Sequence, residues 1–324
     1  MNSHAVLPDI DRVGIEEFAA DVAYYLSLAP RQLPSRYFYD DLGSALFEAI
    51  CRLPWYTITR AEKRLLAGHA KQIVRCLPSL ANIVELGPGK GEKLRLLLDA
   101  SAPWRPAFTV HLVDVSGSAL AAAATIVGES NRVRVVTHRA EYSDGLSDAT
   151  RQAEGRTLVM FLGSNLGNFD PPGAAAFLHT VRAHLKKNDA LLIGVDLVKP
   201  HRLLQLAYDD PLGVTAAFNR NLLTRINREL GAEIDLDGFS HRAWWNQAES
   251  RVEMHLVARG SQPMSIPRAR TDMRLEAGEV IWTESSYKYA PEQIAQLLRS
   301  ASFAPIARWI DQQDAFALTL AEAA

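Results

Sequence analysis

Five short apolar segments alternate with helical segments between residues 81 and 198, and this alternation constrains the fold more than any other feature of the chain. Continuous or alternating apolar runs predict strands, and apolar residues that recur every three or four positions predict helices. Parallel strands need a crossover connection, which is usually a helix. The alternation therefore predicts an α/β fold whose mostly parallel sheet carries helices on both faces. The five predicted strands are ANIVELG, AFTVHLVDVS, RVRVVTHRAEY, RTLVMFLGS and DALLIGVDLV.

The alternation stops after Lys199, which predicts a second domain. Residues 13–32 and 200–230 have helical patterns, and HRAWWNQAESRVEMHLVARG has the pattern of a strand hairpin. A helix begun by proline (PEQIAQLLRSASF) and closing strands (APIARWIDQQDAFALTLA) then resume the first pattern. We expect a sheet domain at 61–199 and 287–324, and a smaller α+β domain made of 1–60 and 200–286.

Composition and charge exclude several classes of protein. The formal net charge of −2 argues against a nucleic-acid-binding protein. No apolar run approaches the roughly 20 residues that cross a bilayer, and the opening MNSHAVLPDIDRVG lacks the basic and apolar regions of a signal peptide. The cysteines and histidines show no metal-binding spacing, so we predict no metal site. We expect a cytoplasmic monomer that binds neither nucleic acid nor membranes.

A glycine-rich turn, VELGPGKGEK at residues 84–93, follows the first predicted strand. Glycines let the backbone approach a ligand closely, and the next helix N-terminus presents N–H groups. The turn lacks the Walker pattern G-x-x-x-x-G-K-[ST], and its G-x-G-x-G spacing differs from the dinucleotide pattern. Glu85 just before the turn suits a cationic or zwitterionic ligand, and Asp114 at the end of the next strand is placed to bind a ribose diol.

The pattern apolar-E-L-G-x-G-x-G, followed by a strand that ends in an acid, resembles motif I of the class I S-adenosyl-methionine-dependent methyltransferases. The turn alone is also compatible with a purely structural strand-to-helix connection. Two further hypotheses remain open on the residues alone: a nicotinamide-dependent dehydrogenase, and a non-catalytic protein that binds S-adenosyl-methionine as a regulator.

Longer blocks give a more specific resemblance. The segments RYFYDDLGSALFEAICRLPWYTITRAE, FLGSNLGNF, AYDDPLGVTAAFNRNLLTRINREL, RVEMHL and TESSYK together resemble the L-histidine Nα-methyltransferases of ergothioneine biosynthesis. The resemblance covers nearly the whole chain. It implies a Rossmann-like class I methyltransferase sheet with a smaller substrate-binding domain. It also implies transfer of three methyl groups from S-adenosyl-methionine to the α-amino nitrogen of L-histidine.

The resemblance assigns cofactor-binding residues in three places. Gly87 and Lys93 match cofactor positions in and after the glycine turn, where Glu85 and Gly89 complete the predicted set. Asp114 matches the acid that holds the ribose. The pair Glu141 and Tyr142 stands where the family has aspartate followed by an aromatic residue beside the adenine.

The resemblance also assigns residues to the acceptor. Asn168 and Tyr208 match residues that hold the α-carboxylate and α-amino groups, and with Tyr39 they form the predicted catalytic set. The other residues assigned to substrate binding are Phe47, Tyr56, Gly163, Asn165, Met254, Glu284 and Ser286. Phe47 and Tyr56, like Tyr39, match residues that close over the site, and Met254 matches a residue packed near the imidazole.

Glu284 and Ser286 match the pair that reads the imidazole. Their i, i+2 spacing places both side chains on one face of a strand, which independently favours binding of one ligand group by both residues. An exposed strand with two solvent-facing polar residues would show the same spacing. Asn165 replaces the family's usual threonine and Glu141 its aspartate, so methylation of another amino acid or amine remains an alternative.

Overall fold

The computed structural model describes residues 10–101, 108–130, 133–151 and 153–324. Most of the segment on which the signal-peptide prediction rests lies outside these ranges. Within them, the structure has no helix with the length and apolar character needed to cross a membrane.

The described residues form twelve strands and ten α-helices. The strands are β1 (Leu80–Leu86), β2 (Phe108–Asp114), β3 (Val133–Arg139), β4 (Arg156–Phe161), β5 (Ala190–Asp196), β6 (Phe239–Asn246), β7 (Arg251–Ala258), β8 (Gln262–Ile266), β9 (Thr271–Leu275), β10 (Val280–Tyr287), β11 (Phe303–Asp311) and β12 (Phe316–Ala323). The helices are α1 (Ile10–Ser27), α2 (Asp41–Ile50), α3 (Ile58–Cys76), α4 (Glu92–Ser101), α5 (Gly117–Gly128), α6 (Tyr142–Arg151), α7 (Pro171–Ala183), α8 (His201–Tyr208), α9 (Val214–Leu230) and α10 (Pro291–Ser300).

Seven strands form one sheet in the order β11-β12-β5-β4-β1-β2-β3. The five strands from β3 to β5 run parallel, whereas β12 runs antiparallel to both β5 and β11. β4 and β5 are buried almost throughout, as strands covered on both faces should be. This topology confirms the predicted Rossmann-like α/β fold. The strand order reverses between β1 and β4, and open α/β sheets bind ligands beyond the carboxyl ends of the strands at such a point.

The predicted helical segment 200–230 is two helices, because its middle turns away from helical geometry. Asp210 accepts hydrogen bonds from the backbone N–H groups of Leu212, Val214 and Thr215, at 3.0, 3.2 and 2.7 Å. Gly213 precedes α9 with a φ of 74°, in the left-handed region that favours glycine. The periodicity of apolar residues does not reveal this interruption of the helix, because local polar hydrogen bonds produce it.

The strand prediction for RVRVVTHRAEY extended too far, since β3 ends at Arg139 and Tyr142 already begins α6. α6 was not predicted, because its sequence YSDGLSDATR is polar and contains glycine. The predicted hairpin exists as β6 and β7, but β10 joins it in a three-stranded sheet of order β10-β7-β6. The two-stranded sheet of β8 and β9 was also not predicted.

The chain divides into two compact units. One, called here the large-sheet unit, comprises Tyr56–Leu203, Gln247–Arg251 and Ser286–Ala324. The other, the small-sheet unit, comprises the described residues up to Trp55 with Leu204–Asn246 and Val252–Ser285. A boundary between the two units falls inside β10, after Ser285.

Asn219 on α9 ties the small-sheet unit together. Its side chain is fully buried and hydrogen-bonds to all three strands of the small sheet. The amide nitrogen contacts His241 Nδ1 on β6 at 2.9 Å and donates to the His255 carbonyl on β7 at 3.1 Å. The amide oxygen accepts from the Thr283 hydroxyl on β10 at 2.7 Å. Because every polar atom of this amide is bonded, its burial carries no desolvation penalty from an unpaired group.

Asp40 joins two helices of the same unit. It caps α2 by accepting from the Gly43 N–H at 2.7 Å, and it also accepts from Asn221 and Arg228 on α9 at 2.8 and 2.7 Å. Burial alone would raise the pKa of the Asp40 carboxyl, but the hydrogen bonds from Arg228, Gly43 and Asn221 outweigh burial and lower it.

We expect Asp40→Ala to reduce the free energy of unfolding by about 1–3 kcal/mol at pH 7, since it removes a helix cap, the acceptor of the Asn221 amide N–H and one of the two carboxylates that pair with Arg228. A carboxyl group whose pKa is lower in the folded state stabilises the fold at pH values above its pKa in the unfolded state. This stabilisation is lost as the pH falls through the folded-state pKa. The difference between Asp40→Ala and wild type should therefore shrink below about pH 4. Urea denaturation at several pH values measures this difference in the free energy of unfolding, and Glu16→Ala, at an exposed position, is the control. A pH-independent difference would contradict the ionic component.

Candidate active site

The glycine turn between β1 and α4 adopts a backbone that only glycine tolerates easily. Gly87, Gly89 and Gly91 have φ values of 70°, 54° and 77°. The Gly87 N–H donates to the Val113 carbonyl at 2.9 Å, which fixes the turn to the end of β2. A Cβ on Gly87 would lie 2.9 Å from the Tyr142 hydroxyl. The turn is therefore held tightly at the carboxyl end of β1.

Glu85, the penultimate residue of β1, has a fully buried side chain, and neither carboxylate oxygen has a hydrogen-bond partner among the described residues. Burial raises the pKa of Glu85 to about 8, which nearby Lys93 partly offsets and nearby Glu62 reinforces. A buried carboxyl group without a partner is costly to ionise, so the position of Glu85 beside the glycine turn favours a cationic group as its ligand.

Lys93 and Glu62 form a second feature behind the turn. The Lys93 ammonium on α4 donates to Glu62 Oε2 on α3 at 2.7 Å. Both oxygens of Glu62 also lie within hydrogen-bond distance of the Gly163 N–H, at 2.8 and 2.9 Å. Sequence reasoning did not identify Glu62. The available signal was an acid on the apolar face of α3, where Ala61, Leu65 and Leu66 are also buried.

Asp114, Glu141 and Tyr142 come together at the ends of β2 and β3. Asp114 accepts from the Ser116 N–H at 2.9 Å. Burial raises the pKa of Asp114 despite its backbone hydrogen bonds, and the charge of Glu141 adds to the rise. Glu141 is exposed, whereas the Tyr142 ring packs edge-on against Phe161. Two acidic side chains, Asp114 and Glu141, thus lie together at the ends of β2 and β3, where the sequence predicts the ribose and adenine to bind.

The segment after β4 brings Gly163 and Asn165 to the glycine turn. Gly163 and Ser164 have φ values of 78° and 62°, and the Ser164 hydroxyl accepts from the Asp196 N–H at 3.0 Å. A Cβ on Gly87 would lie 3.3 Å from the Asn165 amide nitrogen. Asn168 ends the short 3-10 helix Asn165–Asn168 and is exposed.

Ser286, near the end of β10, is buried beside Lys288. The Lys288 ammonium donates to Ser286 Oγ at 2.9 Å and lies 3.2 Å from Asp196 Oδ2. Lys199 pairs with the other oxygen of Asp196 at 2.6 Å. Because a lysine ammonium only donates, the Ser286 oxygen is an acceptor toward Lys288 and its own proton points elsewhere. Sequence reasoning missed Lys288, although it lies only two residues from Ser286.

The small-sheet unit clusters Tyr39 and Phe47 around an unpredicted residue, Phe218. The Tyr39 ring lies edge-on to Phe47 and to Phe218, with centroid distances of 5.6 and 5.8 Å, and Phe47 lies 6.0 Å from Phe218. Phe218 itself stacks on Phe38 at 4.5 Å. The two predicted aromatic residues therefore share one packed cluster.

Tyr208 is the last residue of α8 and is buried. Its carbonyl accepts from His241 Nε2 at 2.8 Å, while His241 Nδ1 faces the Asn219 amide nitrogen. Burial lowers the pKa of His241, consistent with a neutral imidazole that donates through Nε2. The end of α8 is thereby fixed.

The remaining predicted residues differ in exposure. Met254 is buried in the core, and Glu284 on β10 is half-buried. Tyr56 is buried at the start of the large-sheet unit. The small-sheet unit holds the predicted residues Tyr39, Phe47, Tyr208, Met254 and Glu284, and the large-sheet unit holds the others. No cluster of three or more metal-ligating side chains occurs in the described part of the chain.

Comparisons with known proteins agree with this site chemistry. A family model described as "Histidine-specific methyltransferase, SAM-dependent" matches residues 18–323. A histidine N-alpha-methyltransferase of Mycobacterium tuberculosis is 40% identical over 302 residues, which cover 93% of each chain. Ergothioneine biosynthesis protein 1 of Neurospora crassa is 28% identical over 326 residues, which cover 95% of this chain and 35% of that protein.

Among solved structures, the 1,6-didemethyltoxoflavin-N1-methyltransferase of Burkholderia thailandensis with bound S-adenosylhomocysteine matches with a TM-score of 0.43 and 12% identity, covering 100% of this chain and 93% of that one. The family match confirms the predicted enzyme class and the predicted cofactor, S-adenosyl-methionine. Since that match extends over nearly all of the sequence, the chain belongs to the histidine-specific, S-adenosyl-methionine-dependent methyltransferases.

Proposed function

We propose that this enzyme transfers three methyl groups from S-adenosyl-methionine to the α-amino nitrogen of L-histidine. The product is Nα,Nα,Nα-trimethyl-L-histidine (hercynine), the first intermediate of ergothioneine biosynthesis. The observation that carries the proposal is the 40% identity, over 93% of both chains, to a protein named histidine N-alpha-methyltransferase. The match to an ergothioneine biosynthesis protein supports the pathway. We further propose that the enzyme acts as a monomer.

The described residues of the large-sheet unit fit the cofactor. S-adenosyl-methionine supplies a methyl group on a sulfonium, and its amino-acid end carries an ammonium and a carboxylate. The buried, unpaired carboxylate of Glu85 suits the ammonium, and the Lys93 ammonium suits the carboxylate. In the proposal, Asp114 binds the ribose hydroxyls and Glu141 and Tyr142 contact the adenine; the electrostatic interaction of these three side chains with one another supports a shared site. We propose that the large-sheet unit is the cofactor-binding domain and the small-sheet unit the substrate-binding domain.

The acceptor nitrogen must be a neutral amine, because an ammonium has no lone pair. The protein's task is to hold the amino acid by groups other than that nitrogen, so that the nitrogen can gain methyl groups in turn. In the proposal, the Asn168 amide donates to the α-carboxylate without adding charge, and the Tyr208 hydroxyl bonds the same end. Tyr39, Phe47 and Tyr56 present aromatic faces, which attract a methylated ammonium.

The imidazole end sets the proposed specificity. A carboxylate at Glu284 accepts from one ring N–H, and a hydroxyl at Ser286 donates to the other ring nitrogen. The hydrogen bond that Ser286 Oγ accepts from Lys288 supports this polarity, since it directs the hydroxyl proton away from Lys288. A site that pairs both ring nitrogens rejects amino acids without them, because its own polar groups would lose their partners.

The alternative acceptor is another amino acid or small amine. Two departures from the family pattern support it: Asn165 in place of threonine and Glu141 in place of aspartate. Asn165 contacts the region of Gly87 and Gly163, so its effect falls on the cofactor side of the site. This position gives no reason for a changed side-chain preference, and histidine remains the first choice.

Mass spectrometry of L-histidine incubated with the enzyme and S-adenosyl-methionine tests the function. We expect products heavier by one, two and three methyl groups, with the trimethylated product at completion. The same assay with the other common amino acids, each alone, is the control. If another amino acid is methylated and histidine is not, the proposed substrate is refuted. If only monomethyl-histidine accumulates, trimethylation is refuted.

We expect Glu284→Gln to weaken L-histidine binding by roughly 10- to 100-fold, because the amide loses the charge that accepts the imidazole N–H. Affinity for S-adenosylhomocysteine should change less than twofold. Calorimetry with each ligand separately measures both constants. Glu279→Gln, which alters an exposed carboxylate just before β10, is the matched control and should leave both constants unchanged. Equal losses for both ligands would place Glu284 outside the imidazole site.

Cofactor binding should release a proton near neutral pH. The pKa of Glu85, raised to about 8, leaves this carboxyl largely protonated at pH 7 without ligand, whereas an adjacent ammonium favours the ionised form. Affinity for S-adenosylhomocysteine should then rise with pH, by at most about tenfold per unit, until about pH 8.

Calorimetry at pH 7 in buffers of different ionisation enthalpy measures the released proton. Glu85→Gln should abolish the release. 5′-Methylthioadenosine, which lacks the amino-acid end of the cofactor, should release none even from the wild-type enzyme. A wild-type enzyme that binds S-adenosylhomocysteine without proton exchange would contradict the assignment of Glu85.

A further inference from the structure

We propose that Glu62 is a positioning residue of the cofactor site, which holds the Lys93 ammonium where it binds the carboxylate of S-adenosyl-methionine. The inference rests on the proposed role of Lys93 and does not depend on the acceptor. Glu62 belongs to α3, outside the glycine turn, and is the last residue of the block RYFYDDLGSALFEAICRLPWYTITRAE, within which the resemblance assigned it no role.

The first argument is geometric. The Glu62 side chain is 0% exposed, and its carboxylate joins the first turn of α4, which follows β1, to the loop that follows the neighbouring strand β4. It accepts from Lys93 Nζ at 2.7 Å, beyond β1, and from the Gly163 N–H at 2.8 and 2.9 Å, beyond β4. The strand order reverses between these two strands, where α/β sheets bind their ligands. Glu62 therefore fixes a lysine to the backbone at the ligand-binding end of the sheet.

The second argument is that β5 makes room for this carboxylate. A Cβ on Gly194 would lie 2.0 Å from Glu62 Oε1, so only glycine at this position permits the observed side chain. Glycine weakens a strand interior, where it supplies no side chain for packing. Its presence in the otherwise bulky segment ALLIGVD is accounted for by the space that Glu62 occupies.

The third argument concerns charge and conformational freedom. Lys93 is only 18% exposed, and a buried ammonium needs an anionic partner to keep its charge. A lysine side chain also loses considerable rotamer freedom when it is ordered. Glu62 meets both requirements before the ligand arrives, because its carboxylate already accepts a hydrogen bond from the Lys93 ammonium.

The test compares two ligands that differ only at the amino-acid end. S-adenosylhomocysteine has the carboxylate that Lys93 would bind, whereas 5′-methylthioadenosine lacks it. Glu62→Gln keeps the side-chain size but removes the charge and puts a donor next to other donors. We expect this variant to weaken S-adenosylhomocysteine about tenfold or more and 5′-methylthioadenosine less than twofold. The retained affinity for 5′-methylthioadenosine shows that the variant is folded.

Two further variants sharpen the comparison. Lys93→Met should give the same selective loss, and Glu62→Gln with Lys93→Met should lose no more than Lys93→Met alone, because both changes act through one ammonium. Glu92→Gln is the matched control: it removes a half-exposed carboxylate that pairs with Lys63, between the same two helices. It should leave both affinities within twofold of wild type.

Several outcomes would overturn the proposal. Equal losses of both ligands in Glu62→Gln would show a general structural role, and tighter S-adenosylhomocysteine binding would show that Glu62 competes with the ligand for Lys93. Additive losses in the double variant would show that the two residues act independently. If the wild-type enzyme does not methylate histidine but the variants show the expected affinities for both ligands, the proposed acceptor is refuted. The proposed role of Glu62 then still stands.

Discussion

The pairing of β1 in parallel with both β2 and β4 is the constraint on which the cofactor site depends. Backbone hydrogen bonds fix Glu85 opposite Leu112 on one side and Met160 on the other. The three strands end together, so the turns that follow them meet at one edge. Gly87, Asp114 and Gly163 all follow or end these strands. A one-residue slip of the register would turn the Glu85 side chain to the other face of the sheet.

Charge burial is the second theme of the large-sheet unit. Glu62 with Lys93, and Asp196 with Lys199 and Lys288, place five ionisable side chains in largely buried positions. Buried ion pairs seldom stabilise a fold more than apolar residues of the same size would, but they hold charged groups in fixed directions. Glu85 differs from both clusters because its carboxylate has no partner among the described residues. The unfavourable burial of Glu85 thus lies at the position where, in our proposal, the cofactor brings a positive charge.

The sequence predicted the strands of the large sheet and the glycine turn well, because these features depend on local patterns. Apolar runs followed by glycine identify buried parallel strands whatever their neighbours, and the acid at Asp114 is recognisable from its place at a strand end. Helix α6 was not predicted from the sequence because its polar residues show little apolar periodicity. The order of strands, and the antiparallel place of β12, depend on long-range pairing that no local pattern encodes. The same limit applies to the site: Glu62, Lys288, Asn219 and Phe218 act through contacts with residues distant in the chain, which for Lys288 is Asp196.

Gly194 has a consequence for how variation in this family should be interpreted. A glycine in the middle of a central strand is ordinarily judged as a packing defect, and replacement by alanine or serine as a gain in strand stability. Here the missing side chain is the space in which a carboxylate stands. A homologue with a larger residue at this position cannot keep the Glu62 arrangement unchanged. Such a sequence has to move the Glu62 carboxylate or hold Lys93 with another group, so the residue at position 194 bears on the proposed cofactor site without touching the ligand.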